Sequence, residues 1–499
     1  MASVTMKSKM PCRSTWKPDA TSCSIACLAK PVLCKGYVME QYAFASITEL
    51  ARSLAMNNVT AESLTNYFLN RIARLNPVLH AFARVFPEQA LAQARQSDER
   101  RQQGRVLGML DGIPLGIKDL CDIEGTITAC GSRQWEARTS ARTADAVHRL
   151  RAHGAVIIGK THTVEFAFGG WGTNALLGTP RNPWDSGHHR VPGGSSSGSG
   201  VAVAAGLVPG ALGTDTGGSV RIPAALNGIT GLKTTVGAIN ADGVYPLSRT
   251  LDSVGPMTRT ADDAALLLQA LTHAPGQTIQ SMTYLAQDNA HELAGVRVCV
   301  LPEQNYGVQV QRAVRLGLRD MVRMVELAGA TIVREAPPLN FQQAMSDCGK
   351  LIAAEGWRVH RDYIQDPGLH FGPFVRDRLM AGKGISDLQY QDLLGSHLKM
   401  QAVWGEWMAD KDTLMLPTTP FGPIPLSQVD ESSTPLGYFT RFVNWVNGCA
   451  LALPAGFDQA NLPVSVQLTG KAGDELTLLR IGSAIQSLTA WHSYTPTVD

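Results

Sequence analysis

Twice in this chain a face of apolar residues at helical spacing ends on a glycine and gives way to a short β-branched run. Residues 146–152 lead through Gly154 into Ala155-Val156-Ile157-Ile158. Later, Val314, Leu318, Met321, Val322 and Val325 share one helical face, Gly329 can stop it, and Thr331-Ile332-Val333 follows. Glycine just past the last periodic residue is the usual helix stop, because it accepts the left-handed conformation without a Cβ clash. An earlier stretch, 59–74, carries Leu64, Phe68, Ile72 and Ala73 at helical spacing. Further strands are expected at 297–301, 413–416 and 464–469. Helices alternating with short buried strands specify an α/β fold, a sheet covered by helices. Residues 335–410 are helical in tendency, with Trp404 and Trp407 read as core rather than as a ligand box.

The charge balance narrows the function classes. The chain has 44 basic and 42 acidic residues among 499, a formal net charge of +2. A protein that binds nucleic acid by neutralising phosphates is usually far more basic, so that class is disfavoured. Hydrophobic residues make up 44%, enough for a large core. No segment reaches the ~18–20 continuous apolar residues that span a bilayer. The best stretch, 201–212, is shorter and contains Gly206, Pro209 and Gly210, so the chain reads as soluble, with no membrane partner. Of the nine cysteines, Cys12, Cys23, Cys27 and Cys34 lie in the first 38 residues and the other five are scattered. Scatter suits a reducing cytoplasmic setting better than a disulfide framework. The Cys23/Cys27 pair lacks a second pair at metal-site spacing, so no metal is expected. Residues 1–38 are basic and acid-poor, and they read as a disordered extension or a transit segment ahead of Met39.

Glycine is abundant, 48 of 499, and it clusters. One cluster is Pro192-Gly193-Gly194-Ser195-Ser196-Ser197-Gly198-Ser199-Gly200. A flexible Gly/Ser linker would lead into polar surface. This one runs straight into Val201-Ala202-Val203-Ala204-Ala205-Gly206, which is close-packing material. It also contains a G-x-S-x-G match at Gly194, Ser196 and Gly198, but a nucleophile elbow needs a strand just before it. The preceding residues, with Pro183, Gly187, His188 and His189, are loop chemistry, so the α/β-hydrolase elbow is rejected. The two histidines read as exposed loop residues. A second cluster is Thr214-Asp215-Thr216-Gly217-Gly218-Ser219. Gly217 and Gly218 let consecutive backbone N–H groups converge, which suits a developing oxyanion, and Ser219 follows directly. A phosphate cradle is the weaker rival, since no P-loop or dinucleotide pattern fits. The third segment, Gly112-Ile113-Pro114-Leu115-Gly116-Ile117-Lys118-Asp119, ends a strand-like run on a lysine. Alone, Lys118 reads as a strand-end residue reaching solvent; the functional reading is a desolvated amine able to act as a base. S-x-x-K pairs at Ser14/Lys17 and Ser396/Lys399 lack their companion motifs and read as chance.

Together these segments resemble the amidase signature family. The block 193–224 is similar nearly residue by residue, and so are Gly159-Lys160-Thr161, residues 179–184, Leu251-Asp252-Ser253-Val254-Gly255-Pro256 and residues 462–467. The resemblance implies a central twisted mixed β-sheet with helices on both faces. It implies one such domain over 39–499, with a substrate-determining part at about 270–440. It makes Ser219 the acyl-accepting nucleophile, Ser195 the bridging serine after a cis peptide bond, and Lys118 the terminal base. The N–H groups of Thr216, Gly217, Gly218 and Ser219 would form the oxyanion hole. Asp215 and Arg221 would support the loop, although Arg221 could meet an acidic substrate. Phe166, Gly169, Gly170 and Trp171 lie where the acyl pocket is lined, with core packing an equal reading for Trp171. Thr234 and Asn227 depart from the family's commonest residues. The expected activity is hydrolysis of a small-molecule carboxamide without cofactor, with self-association left open. The alternatives are an amidotransferase A-type subunit that supplies ammonia to a partner, or a catalytically silent binding homologue.

Overall fold

The two helix-glycine-strand units fold as the sequence predicts. In the computed structural model, which describes residues 39–273 and 293–498, helix Asp145–Ala152 ends before Gly154 at φ +82°. Helix Arg312–Leu327 ends before Gly329 at φ +99°. Helix Ala61–Leu79 starts where the Thr60 side chain accepts from the Ser63 N–H, and it buries Leu64, Phe68, Ile72 and Leu75. Each of these helices lays its apolar face on a sheet strand or a neighbouring helix.

The strands are β1 (Phe82–Val85), β2 (Pro114–Lys118), β3 (Val156–Thr161), β4 (Gly210–Asp215), β5 (Thr230–Lys233) and β6 (Ser253–Thr258). They continue with β7 (Arg297–Val300), β8 (Thr331–Arg334), β9 (Thr413–Pro417), β10 (Ala450–Phe457) and β11 (Pro463–Thr469). They form one sheet in the order β1-β3-β2-β4-β6-β5-β10-β11-β9-β7-β8. The β3-β2-β4 group is parallel, as is β9-β7-β8. Between them β4-β6-β5-β10-β11-β9 is antiparallel, so the sheet is mixed. In β2, β3, β4, β6, β9 and β11 every residue is buried, which happens only when both faces are covered. Thirteen α-helices among the described residues do the covering.

From Gln41 onward the chain clusters as one compact unit. The expectations for residues 1–38, including Cys23/Cys27 and Ser14/Lys17, lie outside the described residues. So does part of the stretch expected to shape the substrate pocket. Stretch 335–410 is helical, as Phe341–His360, Pro373–Ala381 and Asp387–Trp407. Trp404 is buried there and Trp407 half-buried, while Ser396 and Lys399 are exposed. Among the described residues no helix is long and apolar enough to cross a membrane.

The Gly/Ser run is packed. Helix Ser197–Ala204 is buried at every position. A Cβ on Gly198 would run into the Ala81 carbonyl and the His162 N–H, so only glycine lets the helix sit this close to the chain beside β1 and β3. This helix and β4 carry the two serine segments side by side, since β4 pairs with β2, whose last residue is Lys118.

Candidate active site

Lys118 is fully buried, which overturns its reading as a strand-end lysine reaching solvent. The cause is its position: β2 lies between β3 and β4, and the serine segment closes over its end. Lys118 Nζ lies 2.8 Å from Ser195 Oγ, 2.9 Å from Ser196 Oγ and 2.7 Å from Thr214 Oγ1. All three partners are neutral hydroxyls. Desolvation therefore dominates and brings the amine from the ordinary lysine range down to about 7, with Cys121, Asp215 and Asp252 opposing weakly.

The protons at this lysine can be assigned by counting. Ser196 Oγ accepts from the Thr214 N–H and donates to the Thr214 carbonyl, each at 3.2 Å. Its single proton is thus committed, and toward Lys118 it can only accept. A neutral Lys118 has two N–H bonds and one lone pair. The lone pair is left for the hydroxyl proton of Ser195 or Thr214. Ser196 and Thr214 are positioning partners that the motifs did not reveal. Ser196 stood out only as the middle of the rejected elbow motif.

Ser195 follows a cis peptide bond from Gly194, as the resemblance implied. Its carbonyl accepts from the Val164 N–H at 3.1 Å and from Thr163 Oγ1 at 3.0 Å. The Gly194 N–H donates to the Gly170 carbonyl at 2.8 Å. Asn227, one of the departures from the family pattern, donates to the Pro192 carbonyl at 2.7 Å and so braces the start of this loop. Ser219 stands in the turn between β4 and helix Arg221–Asn227. Its carbonyl takes the Ser196 N–H at 3.2 Å, which ties the two serine segments together. Ser219 Oγ makes no hydrogen bond, to Ser195 or to any other described group, and it faces a cavity.

Asp215 shapes the turn. Its carboxylate takes the N–H of Gly218 at 2.8 Å and of Val220 at 3.1 Å, and it pairs with Arg221 at 3.0 Å, both side chains fully buried. Burial opposes its ionisation, but Arg221, Lys233 and Asn444 outweigh burial and hold Asp215 well below the usual carboxylate range. Two expectations are adjusted here. The Gly218 N–H points to Asp215 rather than to the cavity, which leaves Thr216, Gly217 and Ser219 as the donors of the turn that are unengaged among the described residues. Arg221 is spent on Asp215, Asn444, Gln467 and the Thr440 carbonyl, so it cannot meet a substrate. Thr216 is fixed by its hydroxyl, which donates to Asp252 at 2.6 Å. Burial raises Asp252 to about 6 against that bond and the N–H groups of Leu247 and Ser248.

The cavity holds about 40 Å³ and is lined by Phe168, Gly169, Gly170, Gly217, Ser219 and Arg441 among others. Gly169 and Gly170 thus line the same cavity as Ser219. Phe166 and Trp171 are not on the lining. Phe166 is buried among Trp135, Tyr245, His360 and Phe371. Trp171 packs in a core with Val191, Ile222, Leu226 and Leu436, and its N–H donates to the carbonyls of Asp430 and Ser433. A second cleft of about 280 Å³, lined by Val164, Glu165, Phe374 and Glu431, shares Arg378 with the first. Arg378 and Arg441 carried no signal in the sequence, since both come from segments without motif character. His188 is exposed, while His189 is half-buried, and no histidine bonds either serine among the described residues.

Known proteins resemble this chain along most of its length. A family model described as Amidase matches residues 63–479. The chain is 37% identical to the A-type subunit of the glutamyl-tRNA(Gln) amidotransferase of Chloroflexus aurantiacus, over 90% of this chain and 98% of that one. Among solved structures, it is similar to the native peptide amidase of Stenotrophomonas maltophilia, with TM-score 0.78 and 29% identity, covering 90% of this chain and 98% of that one. It is also similar to a chain of a vestigial protein complex tied to the evolutionary origins of an s-triazine catabolic enzyme. There the TM-score is 0.81 and the identity 29%, covering 89% of this chain and 98% of that one.

Proposed function

The chain belongs to the amidase family, and from that premise we propose that it hydrolyses the C–N bond of a small carboxamide through an acyl-enzyme on Ser219. The observation that carries this reading is Lys118. It is a buried amine brought to about 7, with neutral hydroxyls as its partners, at one end of a path that leads through Ser195 toward an unbonded Ser219 hydroxyl.

The steps balance without histidine or metal. Neutral Lys118 Nζ takes the Ser195 hydroxyl proton, and Ser195 takes the proton of Ser219 as Ser219 Oγ attacks the amide carbonyl carbon. The Ser219 hydroxyl rotates to Ser195 as substrate seats, closing the gap in the relay. The carbonyl π pair moves onto oxygen, where the N–H groups of Gly217 and Ser219, with that of Thr216 nearby, stabilise it. Collapse breaks the C–N bond, and the leaving nitrogen takes back the proton held by Lys118, again through Ser195. Water then attacks the ester carbonyl under the same base. The carboxylate departs and the Ser219 hydroxyl is restored. A cavity of about 40 Å³ favours a small acyl group. The stretch 270–440 contributes Ile352, Arg378, Thr434 and Gly437 to the lining, in keeping with a substrate-shaping role.

The likeness to an A-type amidotransferase subunit favours one second reading. There the same acyl-enzyme would form from glutamine, and the ammonia would pass to an acyl-tRNA held by partner chains. Ammonia release by the isolated chain from a panel of simple amides tests the first reading. Release that is abolished by Ser219→Ala supports hydrolysis. Silence on every simple amide, with glutamine turned over only beside added partner chains, would favour the second.

A further inference from the structure

The cavity at Ser219 contains two arginines, and they differ in one respect. Arg378 is neutralised: its guanidinium donates to the Glu431 carboxylate and to the Glu431 carbonyl, both at 2.6 Å, and to the Phe168 carbonyl at 2.8 Å. Arg441 meets no carboxylate among the described residues. Its Nη2 donates to Thr434 Oγ1 at 3.0 Å, and no ion pair is made by it among the described residues. No aspartate or glutamate among the described residues lines this cavity. The Cys348 thiol in its neighbourhood is pushed up to about 12 by burial and stays neutral, so it supplies no counter-charge. A half-buried guanidinium without an anion is costly, because its lost hydration is not replaced.

The space around this guanidinium is built from glycines. A Cβ on Gly349 would stand 3.2 Å from Arg441 Nη1, and one on Gly437 would stand 3.1 Å from Nε. A Cβ on Gly217 would meet the Arg441 side chain at 3.3 Å. Gly217 also belongs to the turn that carries Ser219. The free cation therefore lies within a few atoms of the place where an acyl carbonyl would sit. Bidentate pairing with a carboxylate is the recognition that a guanidinium performs best.

We propose that Arg441 binds a carboxylate on the substrate's acyl part, so that the preferred substrates are half-amides of short dicarboxylic acids. The inference rests on the amide-hydrolase reading of Ser219 and deepens it. It also separates substrates that look alike. Glutamine offers the same carboxylate and amide but adds an α-ammonium. That ammonium would enter a cavity that contains a free guanidinium and no acid to receive it. Glutaramate, which is glutamine without the ammonium, fits the charge of the site; glutamine does not.

The test compares succinamate and glutaramate with their neutral counterparts butanamide and pentanamide, and with glutamine. The measured quantity is kcat/KM for ammonia release by the full chain. The better half-amide should exceed its neutral counterpart by about ten- to a hundredfold, the usual range for a charge-assisted pair in a partly buried site. Glutaramate should exceed glutamine. In Arg441→Gln the ratio of half-amide to neutral amide should collapse toward one, mainly through KM, and Arg441→Lys should restore part of it. The wild-type ratio needs no variant, so a misfolded Arg441→Gln leaves the test intact. Equal rates on half-amides and neutral amides, or glutamine as the best substrate, would overturn the proposal while leaving amide hydrolysis standing. Calorimetric binding of glutaramate to Ser219→Ala, with and without Arg441→Gln, covers the remaining case. Arg441-dependent binding without turnover supports the carboxylate site and rejects the hydrolase reading. No binding and no turnover rejects both.

Discussion

Lys118 Nζ lies 2.8 Å from Ser195 Oγ, and both side chains are sealed from solvent. A buried amine among hydroxyls has no anion to hold its proton, so the neutral form is accessible near neutral pH. Only that form has a lone pair, so in the proposed relay protonation would switch the base off. With Lys118 at about 7, kcat/KM should fall about tenfold per pH unit below that value and level off above it. A profile from acid to mildly alkaline pH checks this. Lys118→Arg, which stays charged, should lose activity across the whole range. A rate that rises as the pH falls would remove Lys118 from the relay.

Ser219 Oγ is unbonded among the described residues and faces the cavity, so its removal separates chemistry from folding. Ser219→Ala should lower kcat by roughly 10^4-fold or more, as deletion of a serine nucleophile does. Stability should change by no more than about 1 kcal/mol, since no hydrogen bond is lost. Ammonia release and urea unfolding of the same preparation read the two quantities.

The Asp215–Arg221 pair gives a prediction in which pH reverses sign. With Arg221 present, Asp215 is held low, and its stabilising charge is lost only at strongly acid pH. Arg221→Met leaves a buried carboxylate with Lys233 and Asn444 as its main remaining side-chain partners. Unfolding should become easier by about 3–5 kcal/mol at neutral pH. With its largest counterweight gone, burial should then raise the Asp215 carboxyl above its unfolded value. The variant should be relatively more stable in mild acid, and lose that stability as pH rises through the raised folded value. Urea midpoints at two pH values suffice. A variant that weakens evenly at both would show that Asp215 finds another partner.

The serine loops were legible because their composition is extreme. Glycines at 193, 194, 198, 217 and 218 and serines at 195 and 219 have few other uses so close together, and the two helix-glycine-strand units announced the sheet. What escaped was set by contacts between distant segments. Lys118 reads as exposed because a strand end carries no mark of what covers it; the cover comes from Ser195 and Thr214, far along the chain. Gly218 looks like a free donor until the Asp215 carboxylate is found beneath it. Arg378 and Arg441 lie in helices of ordinary composition, and only folding brings them to the cavity that Ser219 lines. Phe166 and Trp171 sit in the right segment but turn inward, because large rings gain more from burial than from lining a cavity this small.

Trp171 provides the last prediction, because its inward packing controls the cavity at one remove. Its indole N–H bridges the carbonyls of Asp430 at 3.1 Å and Ser433 at 3.0 Å. The next residue, Thr434, accepts the only hydrogen bond that the Arg441 side chain donates among the described residues. Trp171→Phe keeps an apolar ring in the core but releases both carbonyls, which can turn to water at the surface. The cost should be about 1–2 kcal/mol, the value of the lost bonds. Loosening of residues 430–434 should then let Arg441 wander, raising KM for carboxylate-bearing amides several-fold with less effect on kcat. If Trp171 instead stacked on substrate, the loss would fall on aryl amides and spare aliphatic ones. Kinetics on one amide of each kind, with a urea titration alongside, distinguish a core residue that steadies the loop from a ring that touches substrate.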